Sequence, residues 1–287
     1  MRAFNHVRPL AWAALMAGLM TAGDASSTTA TPTATPTPGI FEVDLLFPRN
    51  TTYTPQELMP IVWALQNPTL AAPLAATILW IMWEGDNQSS PGSIGDGGLE
   101  LYTQDDLSSS NPLMATRFVN VASVPDGVWT LSWSLDVYNC SQLFPGFVDN
   151  ENKTIMQSNT VVFTTSSSGQ APDLVAATSA DVCGSAEAFA FDVASFGTAC
   201  GFPGAVLAPK PTPTTNPCAA AINASVASSI SAAATAWGCA PQQHPLNPNV
   251  SCPPLHFSGD PGSKSRMAAA STLLTLLATL TALIYLG

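Results

Sequence analysis

Positive charge is nearly missing from this chain. Its 287 residues carry 8 Lys and Arg against 19 Asp and Glu, for a net charge of −11, and 3 His. So acidic a surface repels nucleic acid and anionic headgroups, and no nucleic-acid partner is expected. Imidazole is equally scarce: beyond His6 there are His244 and His256, both in a Pro-rich stretch. Catalysis by a Ser-His-Asp or Cys-His group needs an imidazole beside its nucleophile, and no GxSxG elbow is present. A CxxC pair is also lacking, which argues against zinc or thioredoxin-type chemistry. The expected mature N-terminus, Asp24 or Ser26, is not the His that a copper oxygenase would need. No cofactor and no catalytic residue is therefore assigned.

Long apolar runs occur at the two ends. Arg2, His6 and Arg8 precede an apolar stretch from Pro9 to Met20, and small residues follow at Thr21, Ala22, Gly23 and Ala25. A basic start, roughly 12 apolar residues and a small-residue exit predict a signal peptide over 1–23. At the other end, Met267 to Gly287 is apolar for roughly 20 residues, enough to span a bilayer, but no charged residue follows to stop transfer. Upstream lies SGDPGSKSRM, small and polar. Small residues, a polar spacer (253–266) and a terminal apolar tail (267–287) form a glycosylphosphatidylinositol (GPI) signal. Ser258 is the assigned attachment residue, with Gly259, Gly262 and Ser263 as neighbours of the same kind. These ends place the protein outside the cell, on the outer leaflet of the plasma membrane or in the cell wall, with the membrane as a partner through the lipid.

Removing both signals leaves Arg49, Arg117, Lys153 and Lys210 against 18 of the 19 carboxylates, a net charge of about −14, which suits solubility in an acidic exterior. Asn-X-Ser/Thr sequons stand at Asn50, Asn87, Asn139, Asn152, Asn223 and Asn249, and in a secreted chain these are candidate N-glycosylation sites. The six cysteines, Cys140, Cys183, Cys200, Cys218, Cys239 and Cys252, are even in number. In an oxidising compartment they predict three disulfides, with the pairing left open by counting.

Composition divides what remains. Residues 24–40 are Ser/Thr/Pro-rich and read as an extended, O-glycosylated spacer. Residues 41–206 read as strands. FEVDLLF puts Phe41, Val43, Leu45 and Phe47 on one face and Glu42 and Asp44 on the other. PIVWALQNP and ATILWIMWEGD are apolar on both faces, as in strands buried between layers. After the Pro125-Asp126-Gly127 turn, Trp129, Leu131, Trp133, Leu135 and Val137 alternate with polar residues, one face core and one wet. TRFVNVAS, SNTVVFTTS and EAFAFDVASF add further strands. The region is mainly β, and the expectation is an antiparallel β-sandwich of immunoglobulin-like or fibronectin-like type.

A Pro/Thr linker over 207–217 leads to a Cys-bounded helical segment, 218–252. Ile222, Val226, Ile230, Ala234 and Trp237 recur at helical spacing, predicting a helix from Ala219 to Trp237. Such a helix is roughly 28 Å long, too long for Cys218 to reach Cys239. The return from Ala240 to Ser251 spans up to about 40 Å, so Cys218 with Cys252 and Cys239 with Cys252 both remain open.

Four stretches, FEVDLLFPRNTTYTPQELMPIVWALQNP, WTLSWSLDVYNCS, PDLVAATSADVCGSAEAFAF and NPCAAAINASVASSISAAATA, together resemble an uncharacterised family of secreted, often GPI-anchored fungal surface proteins, a domain of unknown function, over almost all of 40–252. The resemblance implies a fungal source, secretion and frequent lipid anchoring, and carries over no activity.

Two constellations leave room for chemistry. Glycoside hydrolysis needs two carboxylates, one kept protonated by its surroundings, and the candidates are Glu84, Asp86, Glu100 and Asp136. Glu84, Asp86, Asp96 and Glu100 also gather in a Gly-rich loop of a kind that suits calcium, without EF-hand spacing. Trp80, Trp83, Trp129 and Trp133 offer an aromatic platform for sugar rings, although their apolar surroundings favour the core. The expected function is that of a non-enzymatic, GPI-anchored surface or wall glycoprotein, structural or adhesive, with wall glucan or other glycans as partners. The alternative is a carbohydrate-binding module or a glycoside hydrolase acting on wall polysaccharide.

Overall fold

The structure is a computed structural model that describes residues 36–88, 95–104, 107–108, 111–122, 126–141, 154–209, 211–240 and 249–253. The signal-peptide, Ser258 and apolar-tail assignments, together with Asn152, lie outside the described residues. Among the described residues ten strands make two sheets: β1 (Gly39–Phe47), β2 (Thr52–Tyr53), β3 (Met59–Gln66), β4 (Thr77–Glu84), β5 (Gly95–Glu100), β6 (Leu113–Val119), β7 (Gly127–Tyr138), β8 (Thr154–Thr165), β9 (Glu187–Gly197) and β10 (Gly204–Leu207). One sheet runs β10-β9-β1-β3-β6 and the other β2-β8-β7-β4-β5. All pairings are antiparallel except β2 with β8, which is parallel. The mainly β expectation holds.

Period-2 alternation decides what lies between the sheets. Phe41, Val43 and Leu45 of β1, Ile61, Trp63 and Leu65 of β3, and Trp129, Leu131, Trp133, Leu135 and Val137 of β7 are all buried in one apolar cluster. Rings cross the interface: Trp133 lies 6.5 Å from Trp63 and 4.6 Å from Phe189, centroid to centroid. Trp80 of β4 pairs with Gly97 of β5. Its indole lies over Gly97 and Gly95, where a Cβ would stand 3.1 and 3.2 Å away, so the glycines of this strand are room for a ring.

The chain after β8 covers the outer face of the first sheet. Short 3-10 turns at Ala176–Thr178 and Pro217–Ala220 both contact β1, and a Cys183–Cys218 disulfide joins the two covering segments. The backbone N–H of Ile222 donates to Thr178 Oγ1 at 2.9 Å. Helix α1 (Ala224–Gly238) then lies along β6, with Trp237 against Phe118 at 6.0 Å. The helix starts five residues later than the Ala-rich stripe predicts. Asn223 is its N-cap, Oδ1 accepting from the Val226 N–H at 3.0 Å, a local bond that terminates the helix more firmly than alanine extends it. Shortening the helix frees Cys218 for Cys183 and leaves Cys239 to pair with Cys252 at a Cα separation of 5.5 Å. Of the two pairings left open by the sequence, the local one is present. The third bridge, Cys140–Cys200, ties the end of β7 to the β9–β10 turn, and Cys140 N–H donates to Ala205 O at 2.7 Å. No helix among the described residues is long and apolar enough to cross a membrane.

Candidate functional site

The four tryptophans considered as a platform are buried, Trp129 at 0%, Trp133 at 1% and Trp80 at 8% exposure in the core between the sheets, and Trp83 at 8% on the outer face of β4. Trp129 Nε1 donates to Thr165 Oγ1 at 2.8 Å inside the core. No coplanar exposed pair results, and the sugar-stacking role has no support from these rings.

The candidate carboxylates sort to opposite ends of the second sheet. Glu84 pairs with Trp129, whereas Thr77, at the other end of β4, pairs with both Asp136 and Glu100. Seven residues of strand separate the ends, about 23 Å. Asp136 and Glu100 therefore flank Thr77 on one face, roughly 9.5 Å apart across two strand spacings. Burial pushes the Asp136 carboxyl above its ordinary value, with the Ser134 hydroxyl pulling it back. Its Oδ1 is buried without a hydrogen-bond partner among the described residues, while Glu100 is exposed. A half-buried carboxyl whose protonated form is favoured, with a second carboxyl on the same face, is the kind of arrangement an acid/base pair uses. Asp96 lies four residues from Glu100 on β5, opposite Ile81, and among the described residues no three His, Cys, Asp or Glu side chains gather to hold a metal ion.

That face of the second sheet is open. Leu79, Val128, Met156 and Val162 are 45, 45, 65 and 42% exposed, interleaved with Ser132, Ser134, Ser158 and Thr160. Alternation in β7 foretold this wet side, whereas β4, expected to be buried on both faces, exposes Leu79 here, and the apolar share of the face is unexpected.

A buried carboxylate pair was not foreseen as one. Glu42 and Asp44 alternate away from the inner face of β1, yet they are 3% and 0% exposed, because the covering segment lies over them. Glu42 Oε1 accepts the Asn216 N–H at 2.6 Å, and Gln66 Nε2 donates both to Asp44 Oδ2 at 2.9 Å and to the Asn216 carbonyl at 3.0 Å. Asp44 Oδ1 has no partner among the described residues. Burial first, and then the adjacent Glu42 carboxyl, push Asp44 up to about 8. Two acidic residues at i and i+2 of an apolar strand were the available signal. The buried site is sealed from solvent and suits a latch rather than a substrate.

Among the sequons, Asn50, Asn87, Asn223 and Asn249 are exposed. Asn139 is half-buried, and its Oδ1 accepts from the Ser141 and Leu207 N–H groups at 3.2 and 3.1 Å. All six cysteines are paired.

A family model described as a domain of unknown function (DUF7136) matches residues 36–252. No curated protein and no solved structure matches the chain.

Proposed function

We propose that this chain, which belongs to the DUF7136 family, works outside a fungal cell as a GPI-anchored glycoprotein of the surface or wall, structural or adhesive in role. The observation that carries this reading is the complete pairing of the cysteines, which is stable in an oxidising compartment. Four exposed sequons on the same domain agree with it, and the anchor rests on the small-polar-apolar order of residues 253–287. Labelled inositol should appear in the purified membrane-bound protein, and deletion of 267–287 should send the chain into the medium. Inositol-free membrane-bound protein sinks the anchor.

The finer fold reading is immunoglobulin-like. Strands β1-β3-β6 match A-B-E, and β2-β8-β7-β4-β5 match A′-G-F-C-C′, with the parallel β2–β8 pair in the place of A′ and G. On that reading β9 and β10 extend the A edge.

A second reading, hydrolysis of wall polysaccharide, is favoured by the Asp136 and Glu100 arrangement. Glucan cleavage by the purified protein that disappears in both Asp136→Asn and Glu100→Gln would establish it. Cleavage that survives either change removes it.

A further inference from the structure

A cleft of about 770 Å³ opens at the side where the two sheets part. Its walls are the β1–β2 loop with Pro48, Arg49 and Asn50, the β8 stretch Thr160–Val162, the covering segment with Val182, and Glu187 at the start of β9. The volume lies within the range of small-ligand sites.

Arg49 is held there from two sides. Its backbone N–H donates to the hydroxyl of buried Tyr53 at 3.0 Å, and its Nη2 donates to the Val182 carbonyl at 2.7 Å, with Ser185 Oγ at 3.5 Å. Its Nε and Nη1 have no acceptor among the described residues. The other described arginine, Arg117, donates to the carbonyls of Thr116 and Gly98, between β6 and β5, and does not line this cleft. In a domain of net charge about −14, an anion is repelled from most of the surface, and Arg49 is the described cation placed in a cleft with donors unspent.

Which anion fits follows from the rest of the lining. Glu187, which accepts from Asn159 Nδ2, and Asp173 share the cleft, so a dianion meets more repulsion than a monoanion. A guanidinium fixed through Nη2, with N–H groups on Nε and Nη1 left over, can give a carboxylate oxygen a charge-assisted hydrogen bond from either side. Asn50, Thr51, Thr160 and Gln170 add neutral donors and acceptors, and Val162 and Val182 add exposed apolar surface, a mixture suited to hydroxyls and ring C–H faces.

We propose that this cleft binds a saccharide carrying a carboxylate, a uronic-acid unit, with the carboxylate on Arg49 and the sugar body along Thr160–Val162. The site shares Thr160 and Val162 with the open face of the second sheet but does not include Asp136 or Glu100, and it does not depend on the lipid anchor.

The test is calorimetric titration of the full-length protein, disulfides intact, with trigalacturonate, its methyl ester, free galacturonate and a short acetylated peptide ending in a free carboxylate. Asn50 lies on the rim and in a sequon, so the same titrations on Asn50→Gln remove any shielding glycan. Saturable binding of trigalacturonate at least tenfold tighter than the ester is expected, weakened at least tenfold by Arg49→Gln and strengthened a few-fold by Glu187→Gln. Binding of free galacturonate within tenfold of the trimer would restrict the site to one sugar unit and still support it. No saturable binding of either acid, equal binding of acid and ester, or tighter binding of the peptide overturns it. The acid-versus-ester comparison uses the unmutated protein, so a folding defect in Arg49→Gln does not blunt the outcome.

Discussion

The outer faces of the two sheets begin alike and end differently. Both descend from strands that alternate apolar with polar, Glu42 and Asp44 on β1, and Ser132, Ser134 and Asp136 on β7. The β7 face meets solvent, whereas the β1 face disappears under residues that follow β8. The difference teaches that strand period reports which side chains share a face, and that a distant piece of chain decides whether the polar face stays wet. On the sealed side the polar groups are answered one by one: Glu42 by the Asn216 N–H, Asp44 by Gln66, Thr178 by the Ile222 N–H.

The largest expected effect comes from releasing the seal. Cys183 and Cys218 join the two covering segments across 35 residues of sequence. Replacing both by Ser should cost roughly 2–5 kcal/mol and open the covering stretches 171–186 and 211–222, which flank β9 and β10, to protease before the sheets unfold. Cleavage confined to other segments would show that the cover does not need its staple. Next comes pH. Asp44 faces Glu42 on its own strand, Gln66 on β3, uncharged Ala188 on β9 and the Asn216 backbone of the cover. Its folded value, about 8, stands above its ordinary value of 3.8. The folded state thus holds a proton that the unfolded state releases, and the stability it gives is complete below the ordinary value and lost as pH rises through about 8. The slope approaches ~1.4 kcal/mol per pH unit. Asp44→Asn keeps the bond from Gln66 and has no proton to lose, so its urea midpoints near pH 5 and near pH 8 should differ far less than those of the unmutated protein. Parallel pH profiles for the two would remove Asp44 as the source.

Much of the sandwich was legible because its signals are local. Alternation in β1 and β7 gave the inner face and the Pro125-Asp126-Gly127 turn gave a strand start, whereas the run around Trp80 and Trp83, expected to be buried on both faces, forms a strand with Leu79 45% exposed on its outer face. What escaped depends on separation in sequence. Nothing near Glu42 announces that Asn216 will lie on it, and nothing in the cleft residues Arg49, Thr160 and Glu187 marks them as neighbours. The helix start was misread for a different reason. The Ala-rich stripe carries weak propensity in both directions across Asn223, and the cap bond decides. The pairing of Asp136 with Glu100 across Thr77 follows from register, which composition does not reveal.

A smaller effect tests the inner side of the open sheet. Ala at Gly97 would place its Cβ 3.1 Å from Trp80 Nε1 and 3.3 Å from Cε2. The buried indole has little freedom to retreat, so a loss of about 1–3 kcal/mol is expected, read as a lower urea midpoint. An unchanged midpoint would mean that the ring is not fixed over β5.

The smallest effect sharpens the comparison most. Leu79→Thr and Met156→Thr change side chains that are 45% and 65% exposed on the open face, and each should alter stability by no more than about 0.5 kcal/mol. The matched change on the sealed face, Ala64→Thr at 0% exposure, pushes a hydroxyl and a methyl under the covering segment and should cost about 1–3 kcal/mol. If the Leu79 and Met156 variants lose as much as the Ala64 variant, and the loss grows with protein concentration, the second sheet is covered in solution by another copy of the chain. The two outer faces would then differ in what covers them, one by its own chain and one by a neighbour, and their asymmetry would be one of timing in assembly rather than of exposure.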